Sequence, residues 1–422
     1  MTHSLLQHRP FQAFWLSRVF TAASFQILAV ATAWQMYSIT GSALDLGLVG
    51  LLEFVPRVLF ILQIGQVADR YDRRLVTTIT KALQSLAALL LCVLTLQGML
   101  TREILFALAF VLGTVRAFEI PTMQALLPNV VPAALLPRAI VASASAMQCA
   151  TIVAPALGGL LFAVGPVQTY ALSCGLMLIA CGLMLVLPKP PCGERPTVRG
   201  LDNLLAGFRY IRERRDIFGA ISLDLFAVLF GGATALLPIF ASEILHAGPW
   251  GLGLLRSAPA VGAITMSVVL AYFPIQRAVG KKMFLAVGVF GMATMLFGVS
   301  RSLWLSLLAL AILGAADMVS MMVRGALVQL DTPDPMRGRV SAVNGLFIGA
   351  SNQLGEFESG LTAHYFGAPA AVVLGGACTM LVAGIWIRCF PGLWHREGLR
   401  CESAAESAEL PQPAHQAQPV NV

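Results

Sequence analysis

Ionised side chains stand inside the long apolar runs of this chain: Arg18, Glu53, Arg57, Arg116, Glu119, Asp224, Arg256, Asp317, Arg324, Glu356 and Glu358. A charge at the centre of a bilayer costs about 2.5–3.5 kcal/mol on insertion scales, so each asks for a partner or a function. Spacing sorts them. Glu53 with Arg57 (i,i+4) and Arg116 with Glu119 (i,i+3) meet on one helix face, where they are able to neutralise each other. Asp317, Ser320, Met321 and Arg324 share a face, but Asp317 and Arg324 lie about 10 Å apart along the axis, a poor distance for direct pairing. Asn352 shares a face with Glu356, whereas Glu358 points elsewhere. Asp224 has no basic residue near it on its own helix. The chemistry such groups offer is proton uptake and release, since a carboxylate held out of water changes its protonation with its surroundings. A carboxylate that merely bonds to a neighbouring helix leaves the same signature.

Other chemistries are not encoded. The eight Cys form no C-x-x-C and sit mostly in apolar runs, where Cys behaves as a small hydrophobe, and the six His are scattered. No nucleophile–base set and no metal-ligand cluster is visible, so the expectation is no enzyme, no metal and no cofactor. No G-x-x-x-x-G-K-[ST] loop is present, which leaves an ion gradient, with protons first, as the energy source.

Something must hold these charges, and composition says what. Residues of the AVILMFWYC set make up 57% of the 422 residues and charged residues 12%, with a mean hydropathy of +0.78. Soluble domains carry about 25% charged residues, so the solvent of this chain is lipid. Twelve stretches are long enough to span: 11–38, 44–66, 75–99, 103–127, 138–164, 168–187, 217–243, 250–273, 282–300, 303–329, 339–364 and 369–390. The first is too long for a cleavable signal and lacks a small-residue cleavage site. The net charge of +7 resides in short loops, with no basic stripe interleaved with aromatics, which excludes a nucleic-acid partner. One alternating set of loops holds Arg70, Arg73, Arg74, Arg138, the basic run of the central loop, Arg277, Lys281, Lys282, Arg337 and Arg339; the other offers little beyond Arg102 and Arg301. The positive-inside rule therefore puts both termini in the cytoplasm.

The chain is also doubled. A shift of 201 residues pairs Leu112-Gly113 with Leu313-Gly314, Pro132 with Pro333, Arg138 with Arg339 and Gly159-Leu160 with Gly360-Leu361. A shift of 203 pairs Gly50-Leu51-Leu52 and Pro56 with Gly253-Leu254-Leu255 and Pro259. The expected organisation is an all-α membrane protein of twelve transmembrane helices in two pseudo-symmetric six-helix bundles, 1–187 and 217–390, with a cytoplasmic loop at 188–216. A cytoplasmic tail follows at 391–422, Ser/Ala/Glu/Gln/Pro-rich and disordered from Cys401. Two parallel halves around a midplane site is a layout of secondary transporters.

At the inner end of the second span stands Gly65-Gln66-Val67-Ala68-Asp69-Arg70-Tyr71-Asp72-Arg73-Arg74. This resembles the G-x-x-x-D-R-x-G-R-R loop of the major facilitator superfamily, with Asp72 in place of the second Gly, a departure familiar from the siderophore-exporter branch. The stretch from Gly338-Arg339-Val340 to Gly360 is similar to the same branch. The resemblance covers essentially the whole chain. It implies that Asp69 lies against the start of span 11 near Arg339 and helps lock the outward-facing state. Arg70, Arg73 and Arg74 would join the same latch, with Gly65 allowing close helix approach. It also implies that spans 1, 4, 7 and 10 line the cavity, which places Arg18, Arg116, Asp224 and Asp317 near the path. Asp224 is then the first candidate for proton coupling, followed by Asp317 and Glu356. Arg18, Arg116, Glu119, Arg324 and Asn352 are candidates for contact with cavity or substrate.

Span 5 carries Ala154-Pro155-Ala156-Leu157-Gly158-Gly159, which resembles the G-P-x-x-G-G end of the proton-coupled exporter motif, with Ser143, Ala150 and Ala154 at the earlier glycine positions. Pro155, Gly158 and Gly159 thus imply export. The expected function is proton-coupled export of a small organic molecule, a siderophore or an amphipathic drug-like compound, from the cytoplasmic membrane of a bacterium. Protons, membrane lipid and the small molecule are the partners, and a single chain suffices because it contains both halves. An uptake symporter on the same fold would share all features except the span-5 motif. A polytopic membrane enzyme or receptor is the remote alternative.

Overall fold

The computed structural model describes residues 8–188 and 200–399, and the described residues are helical throughout with short connections. Helices dominate for a physical reason: hydrocarbon offers no partners for backbone N–H and C=O groups, so each segment must satisfy its own. In order they are α1 (Arg9–Thr40), α2 (Ala43–Leu59), α3 (Ile61–Arg70), α4 (Arg73–Leu96), α5 (Arg102–Val130), α6 (Leu136–Val164), α7 (Pro166–Val186), α8 (Gly200–Glu213), α9 (Arg215–Phe230), α10 (Leu237–Ile239), α11 (Gly248–Tyr272), α12 (Val279–Val299), α13 (Leu303–Leu330), α14 (Asp334–Phe366), α15 (Ala368–Cys389) and α16 (Pro391–Trp394).

Local chemistry sets the breaks. Gly41 ends α1 at φ +60, and Ser42 caps α2 by accepting from the Asp45 amide at 3.2 Å. Asp72 caps α4 through the Arg74 amide at 2.9 Å. Pro166 opens α7 at a position where its missing N–H costs nothing. Span 2 is divided between α2 and α3 at Phe60, one turn after Pro56. Span 7 breaks at Gly231-Gly232. It continues through a 3-10 turn (Ala233–Leu236), the short α10 and a π turn (Phe240–Ile244). Among the described residues, ten segments are long and apolar enough to cross a membrane by length and composition alone. The other two expected spans are the divided α2–α3 and α14, whose run includes Asn344, Asn352, Gln353, Glu356 and Glu358.

The outside of the bundle is apolar: Leu86, Leu178, Leu285 and Leu381 are all exposed, as a lipid-facing surface requires. Within each half the duplicated glycines do duplicated work. Gly113 on α5 packs on the α2 backbone at Glu53, and its counterpart Gly314 on α13 packs on the α11 backbone at Pro259. Between the halves, α6 packs along α11 and α2 along α14. Gly159 meets Gly253 on the first seam, and Gly360 meets Gly47 on the second. Small residues allow this because dispersion, not the hydrophobic effect, holds helices together in lipid. All four residues lie toward the end where 40–43, 164–166, 244–248 and 366–368 turn, so the two halves are sealed there. Tyr37 on α1 adds to that seal by donating its hydroxyl to the Glu243 carboxylate in the π turn.

Two departures from the sequence reading concern the linker and the tail. The loop expected at 188–216 contains α8, an amphipathic helix whose Phe208 stacks on Phe347 of α14 with ring centroids 6.4 Å apart. Residues 391–399, expected in the tail, fold back: Arg396 pairs with Asp331 at 2.7 Å and Asp216 at 3.4 Å. Residues 189–199 and 400–422 fall outside the described residues.

Candidate functional site

A cavity of about 610 Å³ lies where the two halves face each other, walled by α1, α2, α5 and α6 on one side and by the span-7 break, α11, α13 and α14 on the other. It is of the size that takes a small organic molecule, for which pockets run roughly 300–1,000 Å³. Three arginines (Arg57, Arg116, Arg256) and three carboxylates (Glu53, Asp317, Glu356) face into it, together with Gln26, Gln148, Asn352 and Gln353.

Each of these is positioned by packing. Arg116 stacks its guanidinium over the Phe25 ring of α1, 3.4 Å from the centroid, which fixes a long side chain that would otherwise sample many rotamers. Arg57 reaches from α2 across to Gly349 of α14, where any side chain would collide with its Nη1. Glu356 lies against Gly50 of the other half. The electrostatics run across the halves: Glu53 is acted on by Arg116, Arg256 and Arg57, and Glu356 by Arg256, Glu53 and Arg116. Among the described residues, none of these groups closes into an ion pair within 4.0 Å. They form a loose, near-neutral network whose members remain available to a ligand. That differs from the local pairing that spacing suggested for Glu53 with Arg57 and for Arg116 with Glu119.

Several expected site residues lie elsewhere. Glu119 faces away from the cavity and takes Lys81 of α4 at 2.6 Å, while Gln84 donates to its second oxygen at 2.6 Å and Lys81 also donates to Thr21 at 2.7 Å. This buried cluster ties α1, α4 and α5 together; Lys81 is fully buried and was missed because its run reads as an ordinary span that begins after a basic loop. Asp224 and Arg324 form a buried ion pair between α9 and α13. Arg324 is therefore not a cavity residue. Asp224, which lacks a basic neighbour on its own helix, takes one from a helix 100 residues further along the chain. A void of about 10 Å³, roughly what one water needs, is lined by both Asp224 and Asp317, so Asp317 stands between that pair and the central cavity. Arg18 does not line the central cavity but a separate cleft. Asn352 and Glu356 are together in the cavity, whereas Glu358 accepts from Thr362 at 2.8 Å. Glu53, Arg57 and Arg256 are the functional candidates that the sequence reading noted as charges without assigning to the site.

The loop after α3 makes its described contacts within the first half. Among the described residues, nothing lies within 4 Å of a Cβ built on Gly65. Arg73 donates to the Ala125 carbonyl at 3.0 Å, and Arg74 to the carbonyls of Met184 (3.1 Å) and Leu185. The Arg74 bonds satisfy C-terminal carbonyls of α7, where a cation is favoured by the helix dipole, and the Arg73 bond ties the loop to the inner part of α5. Arg70 is exposed, and the Asp69 side chain lies outside what the structure describes. With the halves sealed at the opposite end, the partner surface near Arg339 is occupied instead by α8, since Gly207 packs on the Arg339 carbonyl. In span 5, Gly253 of α11 packs on the Pro155 carbonyl, Gly158 packs on Ile27 of α1 and Gly159 on Gly253 and Pro249.

Comparison with known proteins gives the same frame. A family described as transmembrane secretion effector matches residues 1–416. The chain is similar to the enterobactin exporter EntS of Citrobacter koseri, 29% identical over 394 residues that cover 90% of this chain and 88% of that one. It is likewise similar to EntS of Escherichia coli O6:K15:H31, at 28% identity with the same coverage. Among solved structures, a POT family transporter in complex with 5-aminolevulinic acid superposes with a TM-score of 0.72 at 14% identity, covering 91% of this chain and 96% of that one. A bacterial homologue of the human lysosomal transporter Spinster, inward-facing and unoccupied, superposes with a TM-score of 0.70 at 12% identity over 94% and 97%. The nucleoside transporter NupG gives 0.66 at 15% identity over 90% and 99%. These identities speak for the fold alone.

Proposed function

The chain belongs to the transmembrane secretion effector family of the major facilitator superfamily, a family of membrane transporters, and on that premise we propose that it exports a small organic molecule in exchange for protons. The observation that carries this reading is the central cavity, in which Glu53, Asp317 and Glu356 face three arginines without closing into ion pairs. A cargo whose hydroxyl or amide groups donate hydrogen bonds competes with a proton for the same carboxylate oxygens. Protonation from the outer side then releases the cargo, and its binding from the inner side releases the proton. That competition is exchange, and alternation between two packings of the halves carries it across the membrane.

Asp317 and Glu356 are the proposed proton carriers, one from α13 and one from α14. Arg116, Arg256 and Asn352 hold the cargo, and Asp224 with Arg324 steadies Asp317 from behind. Orientation follows from the loop charges: the sealed end has the few basic residues and faces outward, both termini face the cytoplasm, and the cavity here serves cargo from the inner side. The membrane is the bacterial inner membrane, the two functional halves are 1–187 and 217–390, and one chain is the working unit. The resemblance to enterobactin exporters supports a siderophore or another amphipathic compound rich in hydroxyl and amide donors as the cargo.

The test has two arms. In the source strain lacking the gene and grown under iron limitation, mass spectrometry is expected to find a siderophore retained in cells and depleted from the medium; an unchanged profile removes the siderophore reading. In proteoliposomes, an imposed proton gradient is expected to drive that compound against its own gradient. Movement in the direction of the proton flow would instead establish uptake on the same fold.

A further inference from the structure

We propose that the cleft around Arg18 is a second binding site, an antechamber that holds the acidic group of an amphipathic organic molecule on its way to the central cavity. The proposal rests on the transport reading above. The cleft has a volume of about 290 Å³, lies between α1, α5 and α6, and is lined by Arg18, Gln124, Leu127, Leu136, Ile140 and Ser143 among others, all of the first half.

Two of these polar groups have no partner among the described residues. Arg18 makes no ion pair within 4.0 Å and no hydrogen bond among the described residues. Every other arginine that faces a cavity here is matched by carboxylates across it. Ser143 is 2% exposed, yet its Oγ finds no hydrogen bond. Ser and Thr in helix interiors ordinarily donate to the carbonyl one turn back, as Thr21, Thr32, Thr114 and Ser257 do in this molecule. Leaving a buried hydroxyl unmatched is costly unless something else takes it up. A guanidinium without a partner beside the apolar wall of Leu127, Leu136 and Ile140, with an unmatched hydroxyl behind the same lining, suits a carboxylate or sulfonate carried on an apolar body.

The cleft leads inward. On α1, Arg18 is followed seven residues later by Phe25, which lines the central cavity; on α6, Ile140 and Ala144 are followed by Gln148 and Thr151; on α5, Leu127 shares a face with Arg116. Each step continues one helix face, so the two sites lie about 10–16 Å apart along a common wall. A molecule held by Arg18 is therefore one short displacement from Arg116 and its neighbours. This continuity favours cargo over a membrane phospholipid, whose head group has no reason to sit on a face that runs toward the protein interior.

The experiment uses the full chain in nanodiscs of neutral phosphatidylcholine and measures equilibrium binding of radiolabelled 2-naphthoate, an acid with an apolar bicyclic body. Saturable binding is expected, weakened about tenfold by Arg18→Gln, which is what losing one charge-assisted hydrogen bond does. Arg18→Lys should keep most of it, Ala144→Trp should abolish it by filling the cleft, and the exposed loop change Arg277→Gln should leave it intact. Because Arg18 has no partner to orphan, its variants are expected to melt with the parent. Binding that ignores Arg18→Gln overturns the proposal. So does the finding that phosphatidylglycerol is retained in an Arg18-dependent way and displaces naphthoate, for then the site is a lipid site. Failure of the export reading shows separately, as absent proton-driven flux in proteoliposomes of the same protein.

Discussion

The carboxylate of Glu356 on α14 lies over the bare Cα of Gly50 on α2: a Cβ built on Gly50 would stand 2.6 Å from Glu356 Oε2 and 3.0 Å from its Cβ. An acid of the second half is thus seated by the absence of a side chain in the first. The seat exists only while α2 and α14 are in contact, so the surroundings of Glu356 change whenever the halves move.

Gly50→Ala is therefore expected to push Glu356 off its position and slow transport about tenfold, the effect of ~1.4 kcal/mol added to the barrier. Gly288→Ala, where nothing lies within 4 Å, is the control and should transport as the parent does. Proteoliposome flux at equal protein loading decides it; equal rates for the two variants would remove Glu356 seating from the mechanism.

Asp224 and Arg324 are both nearly fully buried and paired. Removing one charge strands the other, so Asp224→Asn is expected to cost about 3–5 kcal/mol, whereas Asp224→Leu with Arg324→Met recovers most of it. Thermal unfolding in detergent reads the stability. If the pair serves only to pack α9 on α13 beside Asp317, the double variant, which restores that packing, keeps proton-driven flux; loss of flux in a stable double variant would give the charges themselves a part in transport.

The seams at the sealed end depend on Gly159 against Gly253 and Gly360 against Gly47. Gly159→Val or Gly360→Val wedges them open and should expose the cavity to the outer side. A cysteine introduced at Thr151 is expected to react several-fold faster with an impermeant maleimide added to whole cells, relative to the same cysteine in the parent. Labelling unchanged by either valine would contradict the placement of the outer gate here.

Asp69→Asn should lower turnover while leaving membrane insertion and expression intact, since its proposed partner surface forms only when the inner ends of the halves close. Flux and surface labelling measured together separate the two effects. Normal turnover would remove the latch assigned to this loop.

The parts of the site legible in the sequence were those that neighbours in the chain decide. Arg116, Asp317, Asn352 and Glu356 were recognisable because a charge or amide inside an apolar run needs a reason to be there, and all four face the cavity. The same criterion drew in Glu119 and Arg324, which the fold uses to close buried pairs, and it passed over Lys81, whose position near a basic loop made its charge look unremarkable. Gly65 illustrates a second limit: a motif glycine suggested a tight approach, and among the described residues nothing lies within 4 Å of a Cβ built there.

Composition determined that this chain lives in lipid, the length of its apolar runs determined its helices, and the repeated Gly, Pro and Arg positions determined that it is two similar halves. Those properties add up along the chain and need no knowledge of what packs where. Only the tertiary structure decided which carboxylate meets which cation, because each choice joins residues from distant segments: Lys81 with Glu119, Asp224 with Arg324, Tyr37 with Glu243. In a low-dielectric interior the energy of a charge depends on its surroundings over a few ångströms, far more than on its neighbours in sequence. That is why the sequence announces buried charges but not whether they carry cargo, carry protons or hold helices together.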